Sequence, residues 1–262
     1  MDRGLSSVDD YPHQFTLSLK PSILADNPLN PFLHTNTHPM NNPLNPADAA
    51  AIQPKKKTTY YHLVLDRSGS MDSCWQEARQ VIDKQLLDLK RIQEENSNSV
   101  LIFSYCGFNQ VLRFGESLMP VDQASINWEL IYPDGMTALN DAIGESIHYL
   151  NQKAGAALSD ADADVIVLIM TDGLENSSKQ YSPTAIKTLM ETCEQSGKWN
   201  FLFLGAGLEV TEVTHAYARG DRNAMSFAKD NFAASFKKVN NELEDFVKLK
   251  EQAMKKTQFF KK

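Results

Sequence analysis

The sequence predicts an α/β fold, a three-layer arrangement in which an open, mostly parallel sheet with one antiparallel edge strand carries helices on both faces. Short apolar segments alternate along the 262-residue chain with longer segments whose apolar residues recur every three or four positions. Two of the apolar segments show no polar alternation, which indicates strands buried on both faces. The connections between them are long enough for the crossover helices that parallel strands require.

Short strand-forming segments define the sheet, and amphipathic segments define the helices. The predicted strands are Tyr60–Leu65, Val100–Tyr105, Gln110–Phe114, Val165–Met170, Phe201–Leu204 and Met225–Ala228. The third follows the second after a short turn containing Gly107, so we expect an antiparallel hairpin there. The predicted helices are Trp75–Ile92, Leu139–Leu150, Pro183–Cys193, Glu209–Tyr217 and a long C-terminal helix from Asn231. Asp72 or Ser73 is predicted to cap the first helix and Ser182 to open the third, with Pro183 at its first position.

The composition divides the chain into an arm, a domain and a tail. Eight of the 11 prolines fall before residue 58, where proline prevents a helix or a central strand from forming. Residues 1–57 are therefore predicted to be a flexible Pro/Asn-rich arm, residues 58–251 the α/β domain, and residues 252–262 a basic tail. The pentapeptide Asn-Pro-Leu-Asn-Pro occurs twice in the arm, either as a doubled docking motif or as low-complexity drift.

Charge and cysteine content exclude several classes of protein. The net charge is −7, and residues 58–251 hold 28 acidic against 17 basic residues, which disfavours a nucleic-acid partner. The chain contains no run of 18 apolar residues, so no membrane span is predicted. The first residues lack the apolar core of a secretory signal. The three cysteines are far apart in sequence, so we expect no disulfide framework and a cytoplasmic location.

Oxygen-bearing side chains follow two predicted strands at the point where each strand ends. Asp66, Ser68 and Ser70 come directly after the first strand, and Asp172 follows the strand Val165–Met170. Thr137 lies between them in a glycine loop that opens a helix. The carboxyl ends of parallel strands meet at one edge of a sheet, and carboxylates with hydroxyls suit a hard divalent cation such as Mg²⁺ or Mn²⁺. The sequence therefore predicts a metal site at this edge.

This pattern resembles the metal-ion-dependent adhesion site of von Willebrand factor A (VWA) domains. The motifs are Asp-x-Ser-x-Ser after the first strand, Gly-x-Thr-x-Leu in the glycine loop and Asp-Gly after the fourth strand, and the resemblance covers about residues 58–250. It implies that Ser68, Ser70 and Thr137 bind the metal through their hydroxyls, and that Asp66 and Asp172 bind it directly or through water. A further coordination position would be open to an acidic residue of another protein.

The resemblance implies a non-enzymatic protein-interaction module. Asp134, Met136 and Glu175 are the predicted contacts with the partner. The phrase Asn200–Ala206 and the single-domain layout are similar to intracellular bacterial and phage-type VWA proteins, including those of stress and tellurite-resistance operons. That similarity suggests a subunit or adaptor of an intracellular stress- or defence-type complex, with an AAA+ ATPase or a kinase–phosphatase system as partner, and the sequence does not choose between these.

The alternative function is a Mg²⁺-dependent phosphoryl-handling enzyme in which Asp66 is the nucleophile. Phosphatases of the haloacid dehalogenase type would carry a second acid two residues later, where this chain has Ser68. Arg67 is expected to be a surface charge, and Asp72, Asp134, Asp141 and Glu175 are expected to be solvated loop charges. His62 is expected to be a satisfied core or edge histidine.

Overall fold

The computed structural model describes residues 56–159, 162–206, 217, 224–227 and 232–251. Within these residues the strands are β1 (Lys57–Asp66), β2 (Ser99–Phe108), β3 (Leu112–Phe114), β4 (Met119–Pro120), β5 (Ala163–Thr171), β6 (Trp199–Ala206) and β7 (Ala224–Phe227). The helices are α1 (Trp75–Glu95), α2 (Leu139–Leu158), α3 (Pro183–Gln195) and α4 (Phe232–Glu251). Two 3₁₀ helices span Gly69–Cys74 and Val121–Gln123.

All seven strands form one sheet in the order β3-β2-β1-β5-β6-β7, with β4 also paired to β2. The β1–β2, β1–β5, β5–β6 and β6–β7 pairs are parallel, whereas β3 and β4 run antiparallel to β2. This confirms the predicted mostly parallel sheet and the antiparallel hairpin. From β1 the sheet grows towards β2 on one side and towards β5 on the other. This reversal between β1 and β5 is where sheets of this kind place their sites, at the carboxyl ends of the strands.

Helices cover both faces of the sheet. Leu63 and Leu65 of β1 belong to one buried cluster with apolar residues of α1 and α4. Val64, which points to the opposite face, belongs to a second cluster with residues of α2 and α3. The same alternation divides β5, whose residues Val165–Met170 are all fully buried. Because both faces are covered, the loops at the strand ends are the accessible part of the sheet.

One local prediction needs correction, and one short strand was not predicted. The predicted cap of the first helix was wrong, because neither Asp72 nor Ser73 occupies that position: the N-cap of α1 is Cys74, which makes no side-chain capping bond. The segment before α1 was expected to lead directly into the helix. It forms the 3₁₀ helix Gly69–Cys74 instead, and α1 begins after it. Strand β4 was not predicted, since two residues give no periodic signal. The cap of α3 is confirmed, because the Ser182 hydroxyl accepts a bond from Ala185 N.

Several predictions lie wholly or mainly outside the described residues. They include the arm up to residue 55, the basic tail 252–262 and nearly all of the predicted helix Glu209–Tyr217. Lys57, which was placed at the end of the arm, is the first residue of β1. Among the described residues, no helix has the length and apolar character needed to cross a membrane.

Candidate metal centre

The sheet topology brings the three predicted metal loops together. β1 ends at Asp66, and its parallel neighbour β5 ends at Thr171, directly before Asp172. The glycine loop before α2 is tied to the first loop by two backbone bonds, from Gly69 N to Gly135 O (3.0 Å) and from Asp134 N to Arg67 O (2.8 Å). Segments that are about 70 and 100 residues apart in sequence therefore form one surface at the carboxyl edge of the sheet.

The first loop folds its own oxygens inwards. The backbone N–H of Ser68 donates to Asp66 Oδ1 over 2.7 Å, which turns the chain sharply after β1. The hydroxyl oxygens of Ser68 and Ser70 then lie 3.1 Å apart. Met71 is fully buried and anchors the turn to the core. The Asp-x-Ser-x-Ser segment thus presents two hydroxyls and a carboxylate on the same side.

The other two loops complete the cluster of oxygens. The Ser70 hydroxyl donates to Asp172 Oδ1 over 2.6 Å. A Cβ added at Gly173 would lie 3.1 Å from Thr137 Oγ1, 3.7 Å from Ser70 Oγ and 3.9 Å from Asp66 Oδ2. These three oxygens therefore surround the space that a side chain at residue 173 would fill. All the predicted ligand residues, including Ser68 through its contact with Ser70, meet at this place.

The chemistry of this donor set fits a small hard cation. Mg²⁺ takes oxygen ligands, keeps several waters and usually accepts one or two protein carboxylates. The cluster supplies two carboxylates and three hydroxyls. Among the described residues there is no group of three or more His, Cys, Asp and Glu side chains that could hold a metal. A zinc-type site is therefore not what these residues resemble, and a site for Mg²⁺ or Mn²⁺ rests on the hydroxyls.

Burial controls the electrostatics of the site. The Asp66 side chain is fully shielded from solvent, and burial raises the pKa of its carboxyl to about 6. Hydrogen bonds from Thr171 and Ser68 lower this pKa, and the negative charge of Asp172 raises it slightly. Two carboxylates held close together, one of them desolvated, make a place where positive charge is stabilised.

Thr171 is a supporting residue that the sequence reasoning missed. Its hydroxyl lies 2.6 Å from Asp66 Oδ2, to which it donates, and it accepts the Gly173 N–H over 3.1 Å. It therefore fixes the Asp66 carboxylate and the start of the third loop at once. Its position as the last residue of β5, directly before Asp172, was the available signal.

Arg67 was expected at the surface, and this was wrong, because its side chain is only 2% exposed. Its guanidinium donates to Asn109 Oδ1 over 2.9 Å, to Val111 O over 3.1 Å and to Tyr132 O over 3.4 Å. Asn109 in turn donates to Asp134 O over 2.7 Å. Burial lowers the pKa of Arg67. The side chain ties the first loop to the β2–β3 turn and to the glycine loop, so it positions the site without being a ligand.

Two of the four acids expected to be solvated are instead used to build the third loop. The Glu175 carboxylate accepts bonds from the backbone N–H groups of Asn140, Ser177 and Ser178 and from the Ser178 hydroxyl, at 2.6–2.8 Å. Asp141 is 8% exposed. Its carboxylate accepts three backbone N–H groups, those of residues 179, 180 and 181, at 2.8–3.0 Å. Glu175 therefore holds the loop, and its role as a partner contact stays a prediction.

Asp134 and Met136, the other predicted partner contacts, lie on the exposed side of the glycine loop, as does Asp72 on the first loop. Met136 is 53% exposed, and its backbone N–H is fixed by a 2.8 Å bond to Gln110 Oε1. Gly135 has φ +73°, in the left-handed region that favours glycine, so this turn depends on residue 135 having no side chain. Thr137 is held beneath by Asn176, which accepts its N–H and donates back to its carbonyl.

Comparison with solved structures gives the class of fold. The structure is similar to the vWF domain of the type V pili tip protein Mfa5 from Porphyromonas gingivalis, with a TM-score of 0.56 and 8% identity. The match covers 73% of this chain and 97% of that domain. The pilus adhesin SpaC from Lactobacillus rhamnosus GG, in its open conformation, matches over 75% of this chain and 30% of its own, with a TM-score of 0.55 and 14% identity.

A von Willebrand factor type A protein from Catenulispora acidiphila matches over 71% of this chain at 13% identity, with a TM-score of 0.46. This chain covers 42% of the length of that protein. Neither a protein-family model nor a curated protein matches the sequence. At these identities the structures share a fold, and the chain has the fold of a von Willebrand factor A domain.

Proposed function

We propose that this chain is a non-enzymatic protein-interaction module that captures a carboxylate of a partner protein through Mg²⁺ or Mn²⁺. Asp66, Ser68, Ser70, Thr137 and Asp172 would hold the cation. The observation that carries the proposal is the convergence of their oxygens, from three separate loops, around the space beside Gly173. The match to the vWF domain of a pilus tip protein and to a pilus adhesin supports an interaction role.

The charge of the site explains why a metal and a partner acid belong together. Exposed Asp72 and Asp134 stand near Asp66 and Asp172, so an acidic partner is repelled from the site without a cation. A divalent ion reverses the local sign. With few charged protein ligands, the ion stays electrophilic and favours a further carboxylate oxygen over water. Partner binding is thereby made dependent on the metal.

The geometry of Asp66 argues against the phosphoryl-handling alternative. A nucleophilic carboxylate must reach a phosphorus atom in line with the leaving group. Asp66 is fully buried, and its two oxygens accept bonds from Ser68 N and from the Thr171 hydroxyl. The side chain is therefore oriented as a support for the site rather than as an accessible nucleophile.

The biological setting is a separate part of the proposal. A cytoplasmic adaptor that works with an AAA+ ATPase or a kinase–phosphatase system rests on the sequence resemblance alone, whereas the solved structures of similar fold include pilus proteins. Cell fractionation of the native host would separate the two settings. Metal-dependent carboxylate capture is the same chemistry in either.

The metal site is tested by Mn²⁺ binding to the full chain, measured by electron paramagnetic resonance and by competition with Mg²⁺. We expect Asp66→Asn to abolish saturable binding, because it removes one of the two carboxylates while conserving the shape. The same substitution should leave the metal-free protein as stable as the wild type or more so, since it removes a buried charge.

Asp122→Asn is the matched control, because Asp122 is exposed in the 3₁₀ helix after β4, on a different segment from the metal loops. The control should bind Mn²⁺ like the wild type. Unchanged Mn²⁺ binding by a folded Asp66→Asn protein would refute the site. Metal-dependent release of phosphate from a generic phosphoester, lost in Asp66→Asn, would favour the enzyme alternative.

A further inference from the structure

Large apolar side chains are exposed at the carboxyl edge of the sheet. Among the described residues, six large hydrophobic side chains are more than half exposed. Four of them lie on the loops at this edge, namely Val111, Tyr132, Met136 and Leu174, and the fifth, Leu130, lies two residues before Tyr132. The sixth, Leu87, lies on α1, about 18 Å along the helix from its first residue. Exposed apolar groups gathered in one region indicate a binding surface.

Two of these side chains are placed by Arg67. The carbonyls of Val111 and Tyr132 both accept bonds from its guanidinium, at 3.1 and 3.4 Å. The Tyr132 ring also lies 5.9 Å from the Arg67 guanidinium carbon, an arrangement that stabilises the ring's position. Arg67, which precedes Ser68 in the first loop, therefore positions Val111 and Tyr132 on one side of this exposed apolar region.

Two others flank the oxygens of the site directly. Met136 precedes Thr137, and Leu174 follows Gly173, and the Thr137 hydroxyl lies 3.1 Å from the position of a Cβ on Gly173. Met136 and Leu174 are 53% and 52% exposed. An apolar residue thus stands next to the ligand oxygens on each of these two loops.

The exposure of these side chains is built into well-held loops. Met136 N donates to Gln110 Oε1. Glu175, the residue after Leu174, accepts three hydrogen bonds from its own loop and one from Asn140 at the start of α2. These bonds hold the backbone next to Met136 and Leu174, so the two exposed side chains lie on ordered loops. We call Val111, Tyr132, Met136 and Leu174 the apolar rim.

We infer that the partner segment carries a single aspartate or glutamate flanked by bulky apolar residues, which pack on the apolar rim while the acid binds the metal. This inference rests on the proposed function and names its partner class. Charge selects against an acidic run, because Asp72 and Asp134 are exposed beside the same loops and would repel additional carboxylates. A few buried anchor residues supply most of the affinity of a compact interface, and contacts around them exclude water.

The test measures how tightly short synthetic peptides with a central aspartate bind the metal-loaded 262-residue chain. Binding is followed by fluorescence anisotropy in millimolar Mg²⁺. Three sets differ only in the residues beside the aspartate: leucine and phenylalanine, serine and glycine, or further aspartates. We expect the apolar set to bind at least about tenfold more tightly than the other two. Replacing the central aspartate by asparagine, or adding EDTA, should remove the binding.

The double variant Met136→Ser/Leu174→Ser should lose the preference for apolar neighbours while it binds Mn²⁺ like the wild type. Leu87→Ser is the matched control, because it removes an equally exposed apolar side chain from α1, and it should change nothing. An equal affinity for all sets or a preference for the acidic set would overturn the apolar rim and leave the proposed function standing. No binding of any peptide with the metal bound would overturn both the rim and the capture of a carboxylate, and would leave only the metal site.

Two further outcomes are distinguishable from these. If the wild-type chain does not bind Mn²⁺, the proposed function is refuted. A wild-type dimer in light scattering that the double variant converts to a monomer would show that the rim receives a second copy of this chain, and would overturn the acidic-peptide partner.

Discussion

Gly173→Ala tests whether the space beside the ligand oxygens is what the metal needs. Gly173 is outside the left-handed backbone region, so alanine adds a methyl group without backbone strain. That methyl would lie 3.1 Å from Thr137 Oγ1, closer than ordinary van der Waals contact, and at normal distances from Ser70 Oγ and Asp66 Oδ2. The substitution therefore acts on one ligand oxygen.

The size of the effect follows from how firmly Thr137 is held. Relieving the contact requires Oγ1 to move by about 0.3 Å. Thr137 is 3% exposed, its N–H and carbonyl are both bonded to Asn176, and a β-branched side chain has few rotamers. Mg²⁺ demands near-ideal geometry at about 2.0–2.1 Å, whereas Ca²⁺ accepts flexible geometry at about 2.3–2.6 Å. We expect Mg²⁺ affinity to fall about tenfold, and Ca²⁺ affinity to fall less.

Competition of Mg²⁺ and Ca²⁺ against bound Mn²⁺ measures both affinities on the same sample. Gly155→Ala is the matched control, since a Cβ there meets nothing within 4 Å; it should leave both affinities unchanged and stabilise α2 by about 0.5–1 kcal/mol. Unaltered Mg²⁺ affinity in a folded Gly173→Ala protein would show that the Thr137 hydroxyl is not a ligand, and would refute the geometry proposed for this side of the site.

Two other predictions concern buried groups. Arg67→Lys should destabilise the protein by about 2 kcal/mol in urea denaturation, because one ammonium cannot replace the bonds to Asn109, Val111 and Tyr132; an unchanged midpoint would refute its role in joining the loops. Burial lowers the pKa of His62 to about 3, and Ser104 is its hydrogen-bond partner. The unfolded chain therefore takes up a proton near pH 6.5 that the folded one does not, so the contribution of His62 to stability should fall by about 2 kcal/mol from pH 7 to pH 5. The Asp66 carboxyl, whose pKa is raised to about 6 in the folded chain, contributes in the opposite direction over the same range. His62→Gln should remove the His62 contribution, so the stability of the variant should change with pH differently from that of the wild type by this amount. Identical pH dependences would contradict the prediction.

The sequence alone was sufficient for the central strands of the sheet and for placing Asp66 and Asp172 at one edge of it, for one physical reason. A strand buried on both faces must be apolar throughout, so Val165–Met170 is unmistakable, and its end places Asp172. The first strand places Asp66 in the same way. Once two parallel neighbours are known, the meeting of their carboxyl ends needs no further information.

The residues that support the site could not be predicted from the sequence, because their hydrogen-bond partners are distant along the chain and are mostly backbone groups. Arg67 binds the carbonyls of residues 44 and 65 positions away and the side chain of Asn109, 42 positions away. A charged residue beside a polar loop is ordinarily solvated, and nothing local distinguishes this one. The predicted caps of α1 failed for a related reason, since the 3₁₀ helix before it depends on the buried Met71 and on contacts with the glycine loop.

The acids at this edge of the sheet divide into two groups with different tasks. The carboxylates of Glu175 and Asp141 accept hydrogen bonds from backbone N–H groups and, for Glu175, from a hydroxyl, so they stabilise the third loop. Asp66 and Asp172 meet across the hydroxyls, and the charge of Asp172 adds to the raised pKa of Asp66. Because the first pair fixes the loops, the second pair is held in mutual repulsion that a bound cation would relieve. If the proposed cation binds here, its binding free energy would come from charge rather than from loop ordering, and the acidity of the domain and the order of its loops would then serve the same function.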